Sequence, residues 1–324
     1  MASHHAPAPT TCVAIFFVRL KTLATQQSGD GRAPVWGSTV LAMSTLEAAL
    51  LGIVQGLFMF IPVSSTSHLA LVQNWLISRG SPLPPPDSPE MILFDLVVHV
   101  GTLLSIVVVM RRPLARLVRG IWRDVFRGGR GLPVRRRLHL RLAVLGMVTV
   151  AVTGVLGFPI RAYGTDIFAA PTMIAVTLIV TGGILWWTDH AGPARRGVMN
   201  MTVAVAIGIG VAQGLALLPG LSRSGLTIAM ALLLGLQRPI AAQYSFFVAI
   251  PTILAASGVQ ALEVLGADAS VISVSGGAFA VGFVVAAVVG AGALIAVLKL
   301  LDRARFRVFS FYVWALAAFV LIVG

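Results

Sequence analysis

The chain has 324 residues, of which 57% are hydrophobic and only 11% charged, with a mean hydropathy of +0.93. A water-soluble domain does not carry that balance. The net charge of +13 does not point to nucleic acid, because the basic residues sit beside apolar runs, where they set topology and meet anionic lipid. The single cysteine, Cys12, rules out an internal disulfide, and no Cys/His metal cluster is visible.

The first 42 residues hold one short apolar run, Val13 to Val18, interrupted by Arg19 and Lys21 and followed by Gln, Ser and Gly. Two readings stand: a weak targeting segment, or an upstream extension, disordered or not native, with Met43 as the true start. The second is preferred, because Met43-Ser44-Thr45-Leu46-Glu47 opens a good helix. Residues 43–324 then form one integral membrane domain.

Six apolar runs approach the roughly 20 residues a bilayer helix needs: Met91 to Met110, Leu142 to Ile160, Pro171 to Trp187, Ala241 to Leu262, Gly276 to Leu298 and Phe306 to Val323. The alternation of a transmembrane β-barrel is absent. Two further apolar stretches are broken by polar clusters. The first carries Gln55-Gly56-Leu57, then Pro62, Ser64, Ser65, Ser67 and His68. The second, about 158 residues on, carries Gln213-Gly214-Leu215, then Pro219, Gly220, Ser222, Arg223, Ser224 and Thr227. A polar break in hydrocarbon is costly unless it lines a cavity, and two in matching places point to one site at a repeat interface.

Charge gives the topology. Arg111 to Arg141 holds eleven arginines and one acid, Asp124, and reads as a cytoplasmic loop. Arg195 with Arg196, and Lys299, Arg303, Arg305 and Arg307, read the same way. Ser81 to Glu90, Arg161 to Ala170 and Glu263 to Asp268 read as the opposite side. Three crossings separate equivalent points, so the second half is upside down relative to the first. The expected fold is all-α and polytopic: two inverted repeats, about 43–190 and 198–324, each a re-entrant helix pair plus three spanning helices.

Pro219 and Gly220 break the second stretch and allow close backbone approach. Ser222, Arg223, Ser224 and Thr227, with free amides at a helix start, make an anion pocket suited to phosphate. An arginine deep in apolar sequence is functional by default; the alternative is a structural arginine paired with an acid. In the first cluster, Ser64, Ser65 and Thr66 supply hydroxyls. Ser65 and His68, three apart, share a helix face, the minimum for a nucleophile and base; alone, His68 also reads as a hydrogen-bonded structural residue. Gln55 and Met59 lie one turn apart. Asp95 either holds a cation or, preferably, caps a helix. Trp186 and Trp187 read as an interface belt, and Gly276-Gly277 and Gly290-Ala291-Gly292 as close helix packing.

From about Met43 onward the chain resembles the bacterial undecaprenyl-diphosphatases, membrane phosphatases of the bacitracin-resistance type. The resemblance rests on Gln55-Gly56-Leu57 with Pro62 through His68, on Phe94-Asp95 with His99-Val100-Gly101-Thr102, on Pro219 through Thr227, and on Ser245 through Pro251. It implies hydrolysis of undecaprenyl diphosphate to undecaprenyl phosphate, recycling the carrier of cell-wall sugars, at a site facing the outer side of the cytoplasmic membrane. It implies phosphate binding by Arg223, acid/base or nucleophilic action by His68, and Ser65 as nucleophile or phosphate ligand. Gln55, Ser64, Thr66, Gly220, Ser222, Ser224 and Thr227 would bind substrate. A divalent cation, Mg²⁺ or Ca²⁺, would assist, with Gln55 or Asp95 as candidate ligands. Met59 stands where the family carries Glu; Ser67 replaces a glycine, and Gln243 replaces a common Glu. A thioether neither moves a proton nor binds these oxygen-seeking cations. A non-hydrolytic prenyl-phosphate carrier or flippase of the same fold is the alternative. A homodimer stays open.

Overall fold

The computed structural model describes residues 43–86, 88–126, 137–168, 171–190, 196–266, 274–301 and 306–323. The N-terminal extension, Arg195, Arg303 and Arg305, and parts of the basic and acidic loops lie outside the described residues, as do the side chains of 161–170 and 263–266.

Eleven α-helices are described: α1 Thr45–Phe58, α2 Ser65–Ser78, α3 Pro89–Val109, α4 Arg111–Phe126, α5 Leu138–Phe168, α6 Pro171–Thr188, α7 Val203–Leu215, α8 Arg223–Leu233, α9 Arg238–Gly266, α10 Gly276–Leu301 and α11 Arg307–Val323. The helix expected at Met43 is present. Ser44 caps it, and the Glu47 side chain returns to the Ser44 backbone, closing a reciprocal capping box.

The protein is a polytopic helical membrane protein. Among the described residues four helices are long and apolar enough to cross a bilayer: α3, α5 over Leu138–Ile160, α9 over Arg238–Leu262, and α10. The other two expected spans, α6 and α11, are apolar but shorter. The broken stretches form two helix pairs, α1–α2 and α7–α8, with 14, 14, 13 and 11 residues per helix. At 1.5 Å per residue none exceeds about 21 Å, short of the roughly 30 Å hydrocarbon core.

The basic segment is not the plain loop expected. Residues 111–126 continue as α4, whose one buried residue is Gly120, packed on the His139 ring of α5. Val118, Trp122 and Phe126 are exposed, giving an apolar stripe among arginines, the pattern of a helix lying in a membrane interface. Positive charge masked this periodicity in the sequence.

The two halves pack reciprocally. The first hairpin's α1 lies along α10, and the second hairpin's α7 along α5; α6 packs on α11. Matching glycines allow this. A Cβ at Gly52 or Gly56 would fall 2.8 Å from a carbonyl oxygen of α10, and one at Gly210 would fall 2.7 Å from the Thr149 carbonyl of α5. Of the glycine runs read as packing sites, Gly290 meets Ser105 and Phe60, whereas nothing approaches Gly276 or Gly292. The largest apolar cluster surrounds the hairpin tips, with Phe60, Ile106, Phe246 and Leu294 fully buried.

Candidate active site

The tips of the two hairpins meet. The Ser224 hydroxyl of the second donates to the Ile61 carbonyl of the first at 3.3 Å, and a Cβ on Gly225 would touch Pro62 at 3.2 Å. Arg223 Nη2 lies 3.9 Å from Met59 Sδ. Met59, the C-cap of α1, is the hub. Gln55 Nε2 approaches its sulfur at 3.5 Å and Ser65 Oγ at 3.9 Å. Gln55, Ser65 and Arg223, singled out separately in the sequence, therefore converge on one thioether.

Two polar atoms at this hub are buried without a hydrogen-bond partner: Arg223 Nη1 and Gln55 Oε1. A buried unpaired guanidinium nitrogen is costly, and the cost is removed by an anionic oxygen. The helix termini add to the positive field. Both α2 and α8 begin at the tips, which directs their N-terminal dipole ends and first amides there. Ser222 Oγ accepts from the Gly225 amide and so caps α8. Ser64 makes no such bond to α2, so the amides opening α2 have no side-chain cap. Among the described residues Arg223 has no acidic partner.

Ser64 has φ 68° and ψ 89°, the single non-glycine residue with positive φ among those described. A left-handed serine costs on the order of 1–3 kcal/mol and persists where its surroundings over-determine it. Here the His68 ring holds the Ser64 carbonyl at 2.7 Å through Nδ1, and the Ser64 hydroxyl meets those of Ser67 at 3.0 Å and Thr66 at 3.4 Å. Thr66 is exposed.

The Ser65–His68 pairing expected from their spacing is not formed. Ser65 points to Met59, while His68 bonds Ser64 and, through Nε2, the Tyr312 hydroxyl of α11 at 2.8 Å. Phe58 stacks on the imidazole, with ring centroids 3.9 Å apart. Three residues along a helix share a face only approximately, and the bulky Phe58 and Tyr312 draw the ring toward α11.

The second tip is held by hydroxyls the sequence did not single out. Thr177 of α6 donates to the Pro219 carbonyl at 2.6 Å, and Thr181 to the Gly220 carbonyl at 3.3 Å. Gly220 has φ +89°, and a Cβ there would fall 2.0 Å from Thr177 Oγ1, so no other residue fits. Thr227 bonds the Arg223 carbonyl at 2.8 Å and also meets Ser245 of α9. Ser222, Ser224 and Thr227 are thus buried supports that fix Arg223. Threonines spaced along an apolar helix carry no signal that separates such clamps from ordinary bonds to their own helix.

Asp95 does not cap a helix: Ser88 caps α3, and Asp95 lies in its second turn, accepting from Gln73 at 3.2 Å. The Pro-Glu dipeptide before Met91 extends the helix past the position that looked terminal. His99 Nδ1 meets the Asp95 carbonyl at 2.6 Å. Gln243 is exposed, whereas Tyr244 is buried and bonds Thr149 at 2.7 Å. Trp187 is exposed, while Trp186 packs against Phe311 and Trp314.

The donor set does not fit a protein-held Mg²⁺ or Ca²⁺. The hub offers the Gln55 amide oxygen, the Ser65 hydroxyl, a thioether and a guanidinium cation, where such ions need several oxygens, usually carboxylates. Among the described residues no group of three or more His, Cys, Asp or Glu could hold a metal.

The family model described as bacitracin resistance protein BacA matches residues 48–319. A protein of Alkalilimnicola ehrlichii called undecaprenyl-diphosphatase is 56% identical over 282 residues, covering 85% of this chain and 95% of that protein. One of Halorhodospira halophila with the same name is 54% identical over 285 residues, covering 86% and 98%. A third, of Rubrobacter xylanophilus, is 36% identical over 283 residues, covering 86% and 97%. The match spans both hairpins and every helix that builds the hub, and the chain belongs to the BacA family of bacitracin resistance proteins.

Proposed function

We propose that this protein hydrolyses undecaprenyl diphosphate to undecaprenyl phosphate and inorganic phosphate, as the names of its relatives indicate for them. The observation that carries this reading is the meeting of the two tips, where Arg223 keeps one buried, unpartnered guanidinium nitrogen beside the uncapped start of α2. In the reaction a nucleophile forms a bond to the terminal phosphorus: either water directly, or the Ser65 hydroxyl first, with water then hydrolysing the phosphoserine to release inorganic phosphate and restore Ser65. The bridging P–O bond breaks, and its electron pair leaves on undecaprenyl phosphate. Arg223 and the α2 amides stabilise charge on the equatorial oxygens. Ser65 attacks or orients the phosphoryl group, and the proton reaches His68 by relay rather than directly, because the ring bonds Ser64 and Tyr312 and not Ser65. Ser64, Thr66, Gly220, Ser222, Ser224 and Thr227 shape and brace the cradle. Gln55 presents Oε1, an acceptor for a phosphate or water hydrogen. No step is assigned to a cation.

The same reading places the chain in the bacterial cytoplasmic membrane as two inverted repeats with re-entrant hairpins, the site opening to the outer side. The reciprocal packing of α1 on α10 and α7 on α5 supports it, as does the arginine-rich α4 on the opposing side. The test is phosphate release from a polyprenyl diphosphate by purified protein in detergent. Wild type should release phosphate and Arg223→Ala should not. Lipid movement in proteoliposomes without phosphate release would instead establish a carrier.

A further inference from the structure

Resting on that reading, we propose that Tyr312 is a positioning residue for His68, fixing which ring nitrogen handles the proton. A carbonyl oxygen can only accept, so His68 Nδ1, 2.7 Å from the Ser64 carbonyl, carries the hydrogen. The neutral ring then presents a lone pair at Nε2, and the Tyr312 hydroxyl, 2.8 Å away, donates to it. Both nitrogens of a nearly fully buried ring are committed, and Phe58 covers one face. Tyr312 comes from the last helix, 244 residues from His68 in sequence, so the second half completes the first half's proton-handling group.

A phenol suits this position because it serves both protonation states. It donates to the neutral imidazole and, after rotating its hydrogen, accepts from the imidazolium. Without the hydroxyl, the Nε2–H of a charged His68 would be left facing hydrocarbon. The Tyr312 ring lies within 8° of parallel to the imidazole, and the residue is 43% exposed. The same chain of bonds reaches Ser64, whose left-handed backbone sets the start of α2 and hence Ser65.

The experiment uses the full-length protein in detergent with undecaprenyl diphosphate, comparing wild type, Tyr312→Phe, His68→Asn and the double variant. Tyr312→Phe should lower kcat by roughly tenfold or more with KM changed less than about twofold, the pattern of an interaction made in the transition state. It should cause no further loss in the His68→Asn background, because its effect passes through the imidazole. ¹⁵N NMR of the histidines, with His68 assigned by its absence in His68→Asn, should show a protonated Nδ1 and an Nε2 resonance that moves in Tyr312→Phe. Equal losses in both backgrounds, or a His68 spectrum unmoved by Tyr312→Phe, would overturn the proposal. Should wild type release no phosphate, hydrolysis fails on its own, and the NMR result still decides whether Tyr312 holds His68.

Discussion

Met59→Glu tests the geometry of the hub most directly. It places a carboxylate about where the sulfur lies, 3.9 Å from Arg223 Nη2. At an effective dielectric of about 20, opposite unit charges at that separation attract by about 4 kcal/mol. With no cation present, the new carboxylate captures the guanidinium and competes with phosphate, so KM should rise, by up to about a hundredfold if two-thirds of that energy is realised. With Mg²⁺ present, the carboxylate and the Gln55 amide oxygen gain a reason to bind the ion, Arg223 is released, and activity should recover. The assay is phosphate release across a magnesium titration, including a chelator arm. Wild type should respond weakly to added cation and the variant steeply. A wild type abolished by chelator and restored by magnesium, with a variant that follows the same curve, would refute the argument that this donor set works without a protein-held ion.

Other expectations follow from single contacts. Arg223→Lys should lose roughly 100-fold or more in kcat/KM, because an ammonium cannot reproduce the planar fork that braces Met59 and reaches phosphate together. Gly220→Ala should destabilise the fold by about 3 kcal/mol or more, through a positive φ and a steric clash with Thr177, seen as a drop in Tm in detergent. Thr177→Val should cost about 1 kcal/mol in stability and lower kcat, because it frees the Pro219 carbonyl and the tip that carries Arg223. Burial pushes the Asp124 carboxyl up, but bonds from the Leu140 and His139 amides and the adjacent imidazole outweigh this and hold it below its ordinary range. Its contribution is therefore present above the unfolded carboxylate range and lost as pH falls through the lowered folded value. Asp124→Ala should remove that acid-side loss, measured as Tm against pH below about 4.

Much of this architecture was legible from residue order because the bilayer imposes strict rules. A run such as Gly276 to Leu298 has few soluble alternatives, and hairpin segments too short to span announce themselves by their Pro/Ser breaks. Arg223 stood out because a guanidinium in apolar sequence is expensive. Less was legible wherever a local pattern allowed two outcomes. Asp95 looked like a cap, but Ser88, Pro89 and Glu90 start the helix earlier. The α4 helix was hidden because arginines dominate its composition, while its apolar stripe emerges only when Val118, Trp122 and Phe126 are placed on one helix. The Ser65–His68 spacing suggested a pair, yet Phe58 and Tyr312 compete for the imidazole and win.

The amino-acid order by itself determined the solvent, the helical class, the repeated hairpin phrase and the arginine set deep in apolar sequence, because each depends on composition or on neighbours within a turn or two. Only the tertiary structure decided that Met59 lies between Gln55, Ser65 and Arg223, that Thr177 and Thr181 hold the second tip, and that Tyr312 completes His68. The contacts among these that cross between the two halves join residues about 40 to 244 positions apart, and their partners are fixed by how helices pack against one another, which no local periodicity encodes.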